Sequence, residues 1–122
     1  MAGRKKESAI IDAIVEGIQE KKGKDIVVID LSKLSGPVFD YFIICHGDSS
    51  VHVDALSESV IETIRKKQKI KPHHIEGREN SQWILMDYLN VVVHVFQKPF
   101  REFYNLEGLW ADGKLKKIEN PY

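Results

Sequence analysis

A chain of 122 residues, 43% hydrophobic and 30% charged, has the size of one domain with a real core. Lysine plus arginine total 18, and aspartate plus glutamate also total 18; that balance argues against a protein that coats nucleic acid by bulk attraction. The single cysteine, Cys45, excludes an internal disulfide and suits a reducing compartment.

The opening Met1-Ala-Gly-Arg-Lys-Lys-Glu7 runs into a helical pattern without an apolar signal core, and no run reaches membrane-spanning length, so the expectation is a cytoplasmic protein without a membrane partner. Ile10, Ile11, Ile14, Val15 and Ile18 recur at helical spacing, with Ser8 as cap and Gly23 as stop; they predict a first helix over 8–22. Residues 26–29 are β-branched and bounded by Asp25 and Asp30, which predicts a strand buried on both faces. Leu34-Ser-Gly36-Pro37 breaks the chain, and residues 41–45 form a second apolar strand.

His46-Gly47-Asp48-Ser49-Ser50 then turns the chain, with a serine placed to cap a second helix whose core face is Val53, Leu56, Val60 and Ile64. Arg65, Lys66 and Lys67 crowd its last turn, where the helix dipole favours cations. Pro72 ends any continuation, and residues 71–80 form a connector with a short strand near His74-Ile75. Residues 82–88 and 91–96 predict a hairpin around Leu89-Asn90 that pairs Asp87 with Val92, Leu85 with His94 and Trp83 with Phe96. In that register the six side chains share one face. Pro99 starts a short helix through Tyr104, and the tail beyond Trp110 is expected to be loosely ordered. The order predicts an α/β fold: a single mixed β-sheet with helices packed on it.

The ordered set of Asp30-Leu-Ser32, Phe42-Ile-Ile-Cys45 with Gly47 and Ser49-Ser50, His52-Val53 and Ala55, Glu76-Gly77, Trp83-Ile-Leu-Met-Asp87-Tyr88, Val91-Val-Val-His94-Val-Phe96, Arg101, Phe103-Tyr104, Leu106-Glu107 and Leu109-Trp110-Ala-Asp112 resembles the ribosomal silencing factors, also called the RsfS or Iojap family. What the resemblance implies is a single domain over 1–122, core about 8–112, with a nucleotidyltransferase-like sheet. It also implies a non-enzymatic translation repressor. Such a protein would bind the large ribosomal subunit through ribosomal protein L fourteen and sterically block joining of the small subunit when nutrients are scarce. The chain departs from the family pattern at the hairpin tip, where Leu89-Asn90 replaces the usual Gly-Asp, and at Val51, where many members carry a charge.

The candidate docking face is Trp83, Leu85, Asp87, Tyr88, Leu89, Val92 and His94. Trp83 reads either as core or as an anchor packed against a partner. Asp87 and Tyr88 read either as turn residues or as interface groups, the aspartate accepting charge-assisted bonds from a basic protein and the tyrosine supplying area and a hydroxyl. His94 reads as a structural histidine bonded to a neighbour such as Asp87. Lys66, Lys67, Lys69 and Lys71 read as a solvated helix end, with contact to ribosomal RNA as the functional alternative. Leu106, Leu109 and Trp110 are expected to pack back onto the sheet, and a tail of this kind can also support a homodimer.

The competing reading is a metal-dependent nucleotidyltransferase built on the Gly47 loop. It requires two carboxylates held against a triphosphate, and the nearby carboxylates are Asp48 in the turn, Asp54 on the helix and Asp87 on a strand. The histidines His46, His52, His73 and His74 lack ligand spacing, and Cys45 reads as a small core residue. No catalytic residue, metal or cofactor is assigned.

Overall fold

The apolar runs 41–45 and 91–96 form the centre of the sheet. A computed structural model describes residues 2–34 and 39–122, with side chains from Glu7 onward; most of the expected break at 34–37 lies outside the described residues. The elements are α1 (Ala2–Glu20), β1 (Lys24–Asp30), β2 (Tyr41–Gly47), α2 (Ser50–Gln68), β3 (His74–Glu76), β4 (Trp83–Asp87), β5 (Val91–Gln97), α3 (Lys98–Tyr104), α4 (Leu106–Leu109) and β6 (Lys114–Lys117). Helix α1 begins six residues before the expected start, so Ser8 lies inside it and caps nothing. Apolar periodicity marks only the turns that pack, and a polar first turn carries no such signal.

The six strands form one mixed sheet in the order β3-β4-β5-β2-β1-β6. Among the described strands only the central β2–β5 pair is parallel, with Tyr41 opposite Val91 and Gly47 opposite Gln97. A parallel pair needs a crossover, and α2 supplies it. Ser49 caps α2 by accepting from the His52 backbone N–H at 3.1 Å. Val53, Leu56, Val60 and Ile64 are all fully buried, as the spacing predicts.

Helix α1 lies beside α2 on the same face of the sheet. The two approach closely because Gly17 has no side chain: a Cβ there would come within 2.9 Å of the Val60 Cα. The Ser59 hydroxyl donates to the Gly17 carbonyl at 2.7 Å across this contact. Ile14, Ile18, Leu56 and Ile64 meet Ile43, Ile84, Met86 and Val93 beneath the helices. Each fully buried side chain of this size stabilises the fold by roughly 1.5–3 kcal/mol.

Among the described residues the opposite face has no long helix. Its apolar floor is Val27, Ile29, Phe42, Ile44, Val92 and Phe96, overlaid by Leu106, Phe100 and Trp110 from α3, α4 and their flanks. The hairpin has the predicted register: Asp87 faces Val92, Leu85 faces His94 and Trp83 faces Phe96.

The tail departs from expectation. Residues 114–117 are not loosely ordered; they form β6, which adds to β1 with Val28 opposite Lys116 and Ile29 opposite Leu115. Every β6 residue is exposed, so it lacks the apolar run that announces a strand. What holds it is the free edge of β1, a partner that a local pattern does not reveal. Leu109 also departs from its expected packing. Asn105 turns left-handed (φ 45) and caps α4 by accepting from the Gly108 N–H at 3.2 Å; this ends α3 and leaves Leu109 73% exposed.

Candidate docking face

Alternation along β4 sends Trp83, Leu85 and Asp87 to the thinly covered face and Ile84 and Met86 to the helices. The Trp83 indole N–H donates to His94 Nδ1 at 3.1 Å. Its ring stacks on Phe96 at 5.0 Å between centroids and meets Tyr104 of α3 at 4.8 Å. The indole is therefore fixed at its polar edge and on its rings, yet remains half-buried.

His94 is 3% exposed and contacts Phe42 edge-on at 4.6 Å. Burial among aromatic rings pushes its pKa down to about 3, so the ring is neutral. An indole N–H can only donate, so Nδ1 is the acceptor and the ring proton sits on Nε2. That Nε2 is buried and has no hydrogen-bond partner among the described residues. The histidine is thus structural, as expected, but its neighbour is Trp83 and not Asp87. Asp87 instead accepts from the Leu89 N–H at 2.7 Å, which secures the hairpin tip.

Tyr88 is not brought to this face. It follows Met86 by two residues and shares its side of the sheet, where it lies 7% exposed in the core beneath the helices. Its hydroxyl has no partner among the described residues, and burial raises its pKa. Val92 and His94 are also buried and form the floor, whereas Leu85 and Asp87 are half-buried. Leu89 stands 61% exposed at the tip with φ 73, and Tyr88 N–H donates to the Val91 carbonyl at 2.8 Å to close the turn.

Sequence reasoning missed the residues of α3 and α4 that border this floor. Phe103 is 79% exposed, Tyr104 is partly exposed, and the two rings meet edge-to-face at 5.1 Å. Three aromatics in seven residues exceed what so short a helix can bury, and that surplus was the available signal. Arg101 was missed as a site residue too. It is buried, and its guanidinium forks onto Glu107 of α4 at 3.2 and 3.1 Å. Its Nη1 lies 2.9 Å from His46 Nδ1 on β2 and 3.4 Å from the Lys24 carbonyl on β1.

The Gly47 loop serves the fold. His52 Nδ1 accepts from the Asp48 N–H at 2.9 Å, and its Nε2 donates to the Lys21 carbonyl at 2.7 Å. Asp48 pairs with Lys24 at 2.8 Å, and that hydrogen bond lowers its carboxyl pKa. Asp48 follows the Gly47–Gln97 end of the sheet, whereas Asp87 faces Val92, five residues away along β5. The two carboxylates are thus separated by about 16 Å of strand, too far to share a metal pair. Among the described residues, no group of three or more His, Cys, Asp or Glu could hold a metal ion. Cys45 is fully buried, and burial pushes its thiol up to about 12, which suits core packing and not nucleophilic chemistry. At the basic end of α2, Lys66 pairs with Glu62 at 3.7 Å and Lys67 with Glu16.

The fold and this face define a small α/β protein with one face closed by two helices and the other open around aromatic side chains. No described helix is long and apolar enough to cross a membrane. The family model described as "Ribosomal silencing factor during starvation" matches residues 4–121. The chain is 34% identical over 110 residues to ribosomal silencing factor RsfS of Halalkalibacterium halodurans, covering 90% of this chain and 92% of that protein. It is likewise 34% identical to RsfS of Bacillus subtilis, over 93% of this chain and 94% of that one. A crystal structure of a Chromobacterium violaceum protein superposes with a TM-score of 0.78 at 35% identity, covering 93% of this chain and 90% of that one. The chain belongs to the ribosomal silencing factor family.

Proposed function

We propose that this protein docks on the large ribosomal subunit through ribosomal protein L fourteen and blocks joining of the small subunit, repressing translation in the cytoplasm without enzymatic chemistry. The observation that carries the reading is the asymmetry of the sheet. One face is sealed by α1 and α2, while the other leaves Trp83 and Leu85 half-buried, with exposed Tyr104 against Trp83 and exposed Leu89 at the hairpin tip. Half-buried aromatic and apolar side chains at the rim of a buried apolar floor suit a protein partner, and Asp87 on the rim suits a basic one. The proposed docking residues are Trp83, Leu85, Asp87 and Leu89. Val92 and His94 support them from below, and Tyr88 is left out because its side chain lies under the helices. Repression is steric: a body of this size on one intersubunit surface excludes whatever bridge forms there.

The test is co-sedimentation of the purified protein with large subunits, small subunits and joined ribosomes. Selective binding to large subunits, with fewer joined ribosomes when small subunits are added, is expected. Leu85→Glu should weaken binding by at least about tenfold, the scale of a hot-spot contact, while leaving the circular dichroism of the free protein unchanged. Equal binding to both subunits, or full affinity in L85E, would remove this face from the reading.

A further inference from the structure

The α3–α4 unit is tied to the sheet by a charge buried beneath it. Arg101 projects from α3 into the gap between that unit and strands β1 and β2, where it is 7% exposed. A guanidinium buried this deeply is tolerated only when its N–H groups find acceptors. Two go to Glu107 and hold α4 to α3. Nη1 is placed between the Lys24 carbonyl and His46 Nδ1, and the imidazole is much the closer at 2.9 Å. A guanidinium has no lone pair to offer, so His46 Nδ1 must be the acceptor and its proton must sit on Nε2. The link from α3 to β2 therefore exists only with a neutral imidazole.

The surroundings offer protonated His46 one counter-ion, at the edge of ion-pair range and in solvent, against the closer Arg101 guanidinium. From β1 it faces Asp25, whose Oδ2 is 3.9 Å from Nε2 and well exposed, and Lys24, which is paired with Asp48. From α3 it faces Arg101 and Lys98. Glu107 of α4 is engaged by Arg101. Glu102, Lys117 and Glu119 line the same cleft, and the charges that act on the imidazole are Arg101, Asp25, Lys98 and Lys24. Burial first, then Arg101, lowers the His46 pKa from its ordinary value.

We infer that Arg101, held between Glu107 and His46, is a latch that positions the aromatic edge of the docking face, and that protonation of His46 releases it. The unit carries Tyr104 against Trp83 at 4.8 Å, so release of α3 is felt at the anchor of the face. Leu106 keeps the unit on the sheet through its own burial, so the fold survives while the face loses its shape. The sign follows from the shift. Because the folded state disfavours the charged imidazole, the latch is complete above the ordinary histidine value and is lost as pH falls below it. The inference rests on the proposed docking face, and its test has one arm that needs no ribosome.

The experiment uses the full chain carrying Trp110→Phe, so that Trp83 is the only tryptophan. Trp83 emission and large-subunit binding are followed from pH 8 to pH 5, in this background and with His46→Gln, whose carbonyl can accept from Arg101 but does not titrate. In the parent, emission should shift in the acid half of the range. Affinity should fall there too, by up to about tenfold per pH unit once His46 is protonated. H46Q should hold both flat, and Glu107→Gln should show the acid-type emission at every pH. A flat emission profile in the parent, or an H46Q profile that follows the parent, would overturn the latch. Shifting emission without any large-subunit binding would keep the latch and overturn the docking reading instead.

Discussion

Gly77→Ala tests how the docking tryptophan is placed. Gly77 sits at φ +90 between β3 and β4, and a Cβ there would lie 1.9 Å from the Trp83 carbonyl oxygen. The left-handed backbone alone costs an L-residue roughly 1–2 kcal/mol. The contact cannot exist at that distance, so the 77–83 turn must open by at least about 1 Å against a backbone group, adding roughly 1–3 kcal/mol of overpacking. The smaller unfolded-state entropy of alanine returns about 0.5 kcal/mol. The expected loss is therefore about 1.5–4.5 kcal/mol, large for a single surface substitution, and amounts to roughly 5–20 °C in Tm for a chain of this size. Urea unfolding followed by far-ultraviolet circular dichroism measures it, and Trp83 emission reports the displaced start of β4. A loss below about 1 kcal/mol with an unchanged urea slope would refute the argument. It would mean that the turn relaxes freely and does not set where Trp83 stands.

Two further substitutions separate stability from binding. Tyr88→Phe removes a buried hydroxyl that has no partner among the described residues and should stabilise the fold by about 1 kcal/mol without changing large-subunit affinity; weakened binding would show that Tyr88 belongs to the docking face after all. Leu89→Asn relieves a left-handed leucine at the tip and should gain about 1 kcal/mol of stability while weakening binding, because the tip loses its exposed apolar side chain. A more stable protein with undiminished affinity would place the tip outside the contact.

Local pattern determined the elements that carry their own physics. The β-branched run 26–29 and the apolar run 41–45 became β1 and β2, the apolar spacing of α2 named the four apolar residues it buries, and the hairpin register followed from pleat periodicity across a two-residue tip. Because that alternation is strict, Trp83, Leu85, Asp87, Val92, His94 and Phe96 were assigned to one face correctly, and the same rule places Tyr88 on the other. Whether that face is sealed or open was decided by what packs on it, and that is a tertiary matter. Both long helices chose the opposite side, β6 formed only because β1 offered an edge, and Arg101 found Glu107, His46 and Lys24 from three other elements. Hydrogen bonds and burial between distant residues leave no period in the chain. His94 was legible as structural but not as the acceptor for Trp83, and the aromatic edge formed by α3 became visible only when Tyr104 was seen to meet Trp83 at the rim of the buried floor.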